Sequence, residues 1–317
     1  MTCTECSAPT ADSDHFCESC GTALRPPGAP IYESPVPTAL TGEGAWLSSG
    51  APPVGCAHCG AKTSIGGYCG ECGRRLGAGR DRAELDLPGV AALTDRGHHR
   101  HHNEDAVAIG VDPAGTVAIV CDGVSSTPRA DAAAVSACNA ALPTLLRALA
   151  DRGLSVERAS REAFDQAFLA VDALVDTVPT DAPSCTYVSG VVRDHGIVVG
   201  WVGDSRAYWI PEVGPPRCLT VDDAVPDVPG APLTRWLGGD APDVELSVVA
   251  VEVPGPGTLL LCTDGLSRYL AAPTDLAFVA GAPPVTAARR LVDLALDAGG
   301  VDNIAVAVLA YSGGVSA

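Results

Sequence analysis

The chain has 317 residues, room for one domain of about 200 to 250 residues with a smaller attachment, and therefore for a sizeable buried core. Its formal net charge of −18, with Lys62 as the single lysine, opposes a duplex phosphate backbone and excludes nucleic acid as the main partner. No run of roughly 18 apolar residues offers a membrane span, and Met1-Thr2-Cys3-Thr4-Glu5 lacks a basic-then-apolar start, so a cytoplasmic protein without membrane contact is expected.

Eight of the thirteen cysteines form four Cys-x-x-Cys pairs before residue 75: Cys3 with Cys6, Cys17 with Cys20, Cys56 with Cys59, and Cys69 with Cys72. The segments Cys3 to Gly21 and Cys56 to Gly73 repeat one pattern, so the region is an internal duplication. A unit of about 20 residues cannot bury a core, and a reducing compartment disfavours disulfides. Each unit is therefore read as a zinc ribbon, 1–25 and 55–77, in which four thiolates hold one structural Zn²⁺. Four cysteines close a tetrahedral shell and leave no position for a reacting water, which makes His15 and His58 bystanders. Between the ribbons, 26–54 carries the seven prolines of the Arg25–Gly55 stretch and reads as a linker; 78–86 reads as a shorter one.

From Leu87 to residue 313 the pattern changes to that of a main domain. Val107, Ile109 and Val111, then Val117, Ile119 and Cys121, alternate as half-buried strands do. Val135, Cys138, Leu142, Leu145 and Leu149 recur at helical spacing, with Pro143 among them, and so do Phe164, Phe168, Val171, Val175 and Val178. Antiparallel strands are expected over Ser189–Trp201, Ala207–Ile210, Leu246–Val253 and Leu259–Cys262, then a helix over Thr286–Leu296 and a last strand over Ile304–Tyr311. Strand runs interrupted by blocks of helix indicate an α+β fold.

Acidic residues stand where the strands end: Glu104-Asp105, Asp122-Gly123, Asp204, Asp264-Gly265 and Asp302. One Asp-Gly pair is an ordinary turn, but carboxylates gathered at the ends of neighbouring strands can converge on hard divalent cations.

The ordered set resembles the PPM-type (type 2C) metal-dependent protein serine/threonine phosphatases of the bacterial type, over about residues 90 to 311. Thr94-Asp95-Arg96-Gly97 with Arg100 and Asn103-Glu104-Asp105 is similar to the family's opening motif, and Ala118 to Val124 to its second. Val202-Gly203-Asp204-Ser205-Arg206-Ala207-Tyr208, Leu259 to Leu266 and Asp302-Asn303-Ile304 follow in the family's order. The resemblance implies a four-layer α-β-β-α sandwich with two Mn²⁺ or Mg²⁺ ions in an edge cleft. By it, Asp122 bridges the ions, Asp264 and Asp302 hold one, Glu104 and the Gly123 carbonyl hold the other, and Asp105 acts through coordinated water. Asp204 with Asp264 matches a third ion's position, and Arg100 clamps the phosphate. The implied activity is hydrolysis of phosphoserine and phosphothreonine in proteins, the products of serine/threonine kinases, by a hydroxide shared between the two ions. The ribbons then recruit partners; the alternative is a zinc-ribbon scaffold with an inactive phosphatase-like domain.

Three departures from the family pattern are visible. Ser125-Ser126 stands where paired glycines are usual, Asp223 replaces a histidine, and the short Ala224–Pro232 stretch replaces a long helical flap before Leu233-Thr234-Arg235-Trp236-Leu237-Gly238. His98, His99, His101 and His102 surround Arg100 and read as a solvated surface. Cys262 to Arg268 also fits the Cys-x5-Arg pattern of cysteine-dependent phosphatases, yet Asp264 inside that loop would repel a phosphate dianion.

Overall fold

A computed structural model describes residues 45–49, 64–65, 68–69, 81–175, 182–193, 196–226, 232–241 and 244–313. Two antiparallel sheets of six strands form its centre. The first sheet contains β1 (Ala45–Ser48), β6 (Ala106–Asp112), β7 (Gly115–Cys121), β9 (Tyr187–Arg193), β10 (Gly196–Val202) and β14 (Ser247–Glu252), in that spatial order. The second runs β12 (Arg217–Cys218), β11 (Arg206–Pro211), β15 (Gly257–Cys262), β16 (Ile304–Tyr311), β5 (Val90–Asp95) and β4 (Arg82–Leu87). Two short ladders complete the strands: β2 (Ser64–Ile65) with β3 (Tyr68–Cys69), and β8 (Ser184–Cys185) with β13 (Leu237–Gly238).

Strand alternation creates the layers. Along β6 and β7, Ala106, Ala108, Val117, Ile119 and Cys121 face one side, while Val107, Ile109, Ala118 and Val120 face the other. The first set packs against α1 (Ala130–Ala150) and α2 (Val156–Asp172); the second meets Leu259, Leu261, Ala305 and Ala307 of the second sheet. The remaining faces of those strands, including Leu260, Val306 and Val308, are covered by α4 (Pro284–Asp297) and the 3₁₀ segment Pro273–Val279. The order is helix, sheet, sheet, helix, the four-layer sandwich expected.

Alanines 133, 134, 137 and 141 let α1 lie close to its sheet, and Leu145 and Leu149, both fully buried, fill the space beyond them. Burying each such leucine stabilises the fold by about 1.5–3 kcal/mol. Among the described residues α1 is the one helix long and apolar enough to cross a membrane, but its apolar positions belong to this core.

Several elements differ from expectation. The second helix stops at Asp172 instead of continuing to Val178; the Leu174 and Val175 amides turn back onto the Val171 and Asp172 carbonyls, and Val178 lies outside the described residues. Ser189–Trp201 is a hairpin in which β9 and β10 pair over their whole length. The sheet begins before Leu87, because β4 starts at Arg82 and pairs with β5. β1 lies inside the stretch read as linker, where its backbone pairs with β6. Four residues among prolines are too few to show a period of two, yet enough to complete a ladder at a sheet edge.

These two additional strands fix where the chain leaves and rejoins the sheets. Ser48 lies opposite Ala108 near the start of β6, and the Ser49 amide donates to the Val107 carbonyl at 2.9 Å. Arg82 lies opposite Asp95 at the end of β5, and the Arg96 amide donates to the Asp81 carbonyl at 2.8 Å. The chain thus leaves the sandwich at Ser49 and rejoins it at Asp81 on the edge that carries residues 96–105.

Candidate active site

Antiparallel pairing decides where the acidic residues meet. Ala106 opens β6 opposite Cys121, which closes β7, so Glu104-Asp105 and Asp122-Gly123 share one edge. Cys262 closes β15 opposite Val306 near the start of β16, which brings Asp264 and Asp302 together in the second sheet. Asp204 joins them from the turn between β10 and β11.

The supports are local and specific. Thr263, fully buried, donates from Oγ1 to Asp105 Oδ2 at 2.9 Å and accepts the Ala305 amide at 2.9 Å. Asn303 accepts the Glu104 amide on Oδ1 at 2.8 Å and donates through Nδ2 to the Arg96 and His102 carbonyls, both at 2.8 Å. The one-turn helix α3 (Asp264–Ser267) approaches so closely that a Cβ on Gly265 would lie 1.8 Å from the Asn303 carbonyl oxygen. A Cβ on Gly123 would meet the Ala130 and Glu104 carbonyls at 2.7 and 2.8 Å. Glycine beside each aspartate is thus required by close backbone approach.

The electrostatics are those of carboxylates crowded together and partly withdrawn from water, with Asp105 buried among them. Burial raises the pKa of Asp122 well above the usual carboxylate range, and Asp105, Asp264, Asp204 and Asp302 raise it further. Burial likewise raises that of Asp105 against the opposing bond from Thr263. Asp204 is pushed up to about 6, by burial first and then by Asp264 and Asp222. Asp105 Oδ1 is buried with no hydrogen-bond partner. Crowded, mutually repelling oxygens, one of them buried and unsatisfied, fit hard divalent cations, and the donor set contains no sulfur or imidazole.

Two guanidiniums already face this edge. Arg100 grips Asp302 with Nε on Oδ1 at 2.7 Å and Nη2 on Oδ2 at 2.9 Å, and its Nη1 donates to Ser125 Oγ at 3.0 Å. Ser125 Oγ in turn donates to Glu104 Oε2 at 2.6 Å. Arg268 Nη2 donates to Asp264 Oδ2 and, at 2.8 Å, to Asp302 Oδ2. Among the described residues no three histidine, cysteine or acidic side chains are already converged as a ligand shell; Asp264 and Asp302 turn toward the arginines instead.

The residues expected to hold Mn²⁺ or Mg²⁺, Glu104, Asp105, Asp122, Gly123, Asp204, Asp264 and Asp302, therefore reach one edge, together with the expected phosphate clamp Arg100. Ser125, Thr263 and Arg268 also belong to it, though sequence patterns assigned them no part there. Cys262 is fully buried and burial pushes its thiol up, while the arginine of its Cys-x5-Arg pattern is paired with carboxylates, so no phosphate cradle exists there. The four histidines around Arg100 are exposed. Asp223 receives the Gly203 amide at 3.1 Å and pairs with Arg235 at 3.1 Å, and Ala224 bridges to Leu233, so the shortened stretch begins and ends on the sandwich. Of the zinc-ribbon cysteines, Cys69 lies in β3, and Cys3, Cys6, Cys17, Cys20, Cys56, Cys59 and Cys72 fall outside the described residues.

The two sheets bring six carboxylates, Glu104, Asp105, Asp122, Asp204, Asp264 and Asp302, to one edge of the sandwich, as expected of the phosphoric monoester hydrolases that the motifs resemble. Residues 95–288 match the family model for protein phosphatase 2C, more than half of the chain, and the protein belongs to that family of serine/threonine phosphatases. Residues 3–77 match the double zinc ribbon model, which spans both cysteine repeats. The serine/threonine phosphatase PstP/Ppp of Mycobacterium tuberculosis is similar at a TM-score of 0.58 and 26% identity, over 73% of this chain and 100% of that one. The catalytic domain of PstP in complex with two manganese ions gives 0.56 at 25% identity, over 69% and 96%. PppA, a key regulatory component of T6SS in Pseudomonas aeruginosa, gives 0.58 at 27% identity, over 70% and 97%. No curated protein matches the chain.

Proposed function

We propose that this chain hydrolyses phosphoserine and phosphothreonine in proteins with the help of two Mn²⁺ or Mg²⁺ ions. The observation that carries the reading is the convergence of Glu104, Asp105, Asp122, Asp264 and Asp302 at one edge, with Asp105 Oδ1 buried and unpartnered. Asp122, Asp264, Asp302, Glu104 and the Gly123 carbonyl would hold the ions, with Asp105 supporting them from the buried side. When bound, such ions lower the pKa of water and neutralise the negative charge that develops in phosphoryl transfer. The two manganese ions of the PstP catalytic domain support the number and the choice of ion.

The chain's own groups do the rest. Arg100, half-exposed and steadied by Ser125, can offer two parallel N–H donors to phosphate oxygens when it turns from Asp302. Thr263 and Asn303 fix Asp105 and the Glu104 backbone, so the acceptors are oriented before any ion arrives. Asp204, beside Asp264, would hold a third, weaker ion.

The ribbons recruit substrates or partners. Zinc shells of four thiolates cannot activate water, and the chain leaves the sandwich at Ser49, before the second cysteine repeat, and rejoins it at Asp81, after that repeat, on the edge that carries the carboxylates. A partner bound there is held near the cleft at raised effective concentration. The deciding experiment is a Mn²⁺ and Mg²⁺ titration of the full chain on an aryl phosphate and on a phosphothreonine peptide. Saturable, ion-dependent release of phosphate is expected; a folded chain inactive at every ion concentration favours the scaffold alternative.

A further inference from the structure

Arg268 is a charged group at this edge to which the proposed hydrolysis gives no task. It follows Asp264 by one helical turn, and its Nε donates to the Asp264 carbonyl at 3.2 Å, which holds the side chain over the start of α3. Its Nη2 then spans two carboxylates, Asp264 and Asp302. Asp302 is only 14% exposed and is also gripped by Arg100, whose Nη2 reaches the same Oδ2, so two guanidiniums meet on one largely buried carboxylate. Two guanidiniums on one carboxylate repel each other, and the second carboxylate within reach of Arg268, Asp264, offsets that repulsion.

We propose that Arg268 is an internal counter-cation of the site: it holds Asp264 and Asp302 together, must release them before both can hold a divalent ion, and thereby sets the chain's affinity for that ion. The proposal rests on the metal-dependent reading of the carboxylate edge. The physical competition is direct. A guanidinium and a divalent ion seek the same carboxylate oxygens, and the smaller ion with twice the charge wins only when its concentration offsets the lost ion pairs. The same guanidinium opposes any third ion between Asp204 and Asp264, since it already occupies Asp264 Oδ2. Arg268 acts through the two carboxylates and is a positioning residue.

The test uses the full chain with its zinc retained and Mn²⁺ removed by dialysis; the zinc sites' thiolates are soft and take up little Mn²⁺. Bound Mn²⁺ is measured by electron paramagnetic resonance for the natural chain, Arg268→Ala and Arg268→Lys, and thermal unfolding is followed with and without Mn²⁺. Arg268→Ala is expected to bind Mn²⁺ on the order of tenfold more tightly, the size of effect that removing one nearby cation from a half-buried site produces. It should also melt earlier than the natural chain in the absence of Mn²⁺, with the gap closing at saturation. Arg268→Lys, which keeps the charge but reaches one carboxylate at a time, should fall between, and it carries the test if the alanine variant does not fold. An equal loss of melting temperature with and without Mn²⁺, or Mn²⁺ affinity unchanged or weakened in the variants, overturns the proposal. A natural chain that binds no Mn²⁺ overturns the metal reading itself.

Discussion

Ser125 Oγ donates a 2.6 Å hydrogen bond to Glu104 Oε2 while accepting one from Arg100 at 3.0 Å, so one hydroxyl couples an expected ion ligand to the expected phosphate clamp. Paired glycines at this place would give the loop freedom; the serine uses it to fix two side chains. Ser125→Ala is expected to raise the KM for an aryl phosphate roughly three- to tenfold, matching the about 0.5–1.5 kcal/mol that one hydrogen bond of an exposed side chain contributes. Steady-state kinetics at saturating Mn²⁺ check this, and an unchanged KM removes Ser125 from the site.

Asp122→Asn and Asp264→Asn should abolish turnover, whereas Cys262→Ser should retain it. Loss of an outer partner alone costs a metal site roughly 10–100-fold, so loss of a bridging or terminal ligand costs more. Cys262 offers no thiolate, because burial holds its proton. Phosphate release by the three variants, with circular dichroism to verify folding, separates the two chemistries; an inactive but folded Cys262→Ser would favour the cysteine route.

The carboxylate edge is legible in the sequence because each acidic residue sits within a few positions of a strand end, and antiparallel pairing brings alternate ends together. The layers are legible for the same reason: β16 runs over the Ile304–Tyr311 stretch that alternation marks. Arg268 to Asp302 and Ser125 to Glu104 are not, since they join residues 34 and 21 positions apart through side-chain directions that no periodicity encodes. β1 escapes because an edge strand borrows its order from its neighbour's backbone, so its own composition need not announce it.

Replacing Cys56 and Cys59 together by serine should leave aryl phosphate hydrolysis within about twofold of the natural rate, while slowing dephosphorylation of phosphorylated proteins. Recruitment alters effective concentration and leaves the carboxylate edge intact. Parallel assays on both substrate types decide it. A large loss on the aryl phosphate would make the second ribbon part of the catalytic domain's own structure.

The last expectation concerns acid. Asp204 is moved from the ordinary carboxylate value to about 6, chiefly by burial and then by Asp264 and Asp222. A carboxyl raised in the folded state binds its proton more tightly there than in the unfolded chain. Its favourable contribution is therefore complete below about pH 4 and is lost as pH rises through about 6. In the Mn²⁺-depleted chain Asp204→Asn, neutral at every pH, should exceed the natural chain's stability at pH 7.5 by about 2–3 kcal/mol. The gap should narrow steadily between pH 6 and pH 4. Saturating Mn²⁺ should shrink it at pH 7.5 as well, since a bound cation offsets the repulsion from Asp264. Urea unfolding of both chains across that range measures the gap. A gap that stayed constant with pH would show that Asp204 is ionised at its ordinary value, and that its burial beside Asp264 is compensated by groups other than a cation.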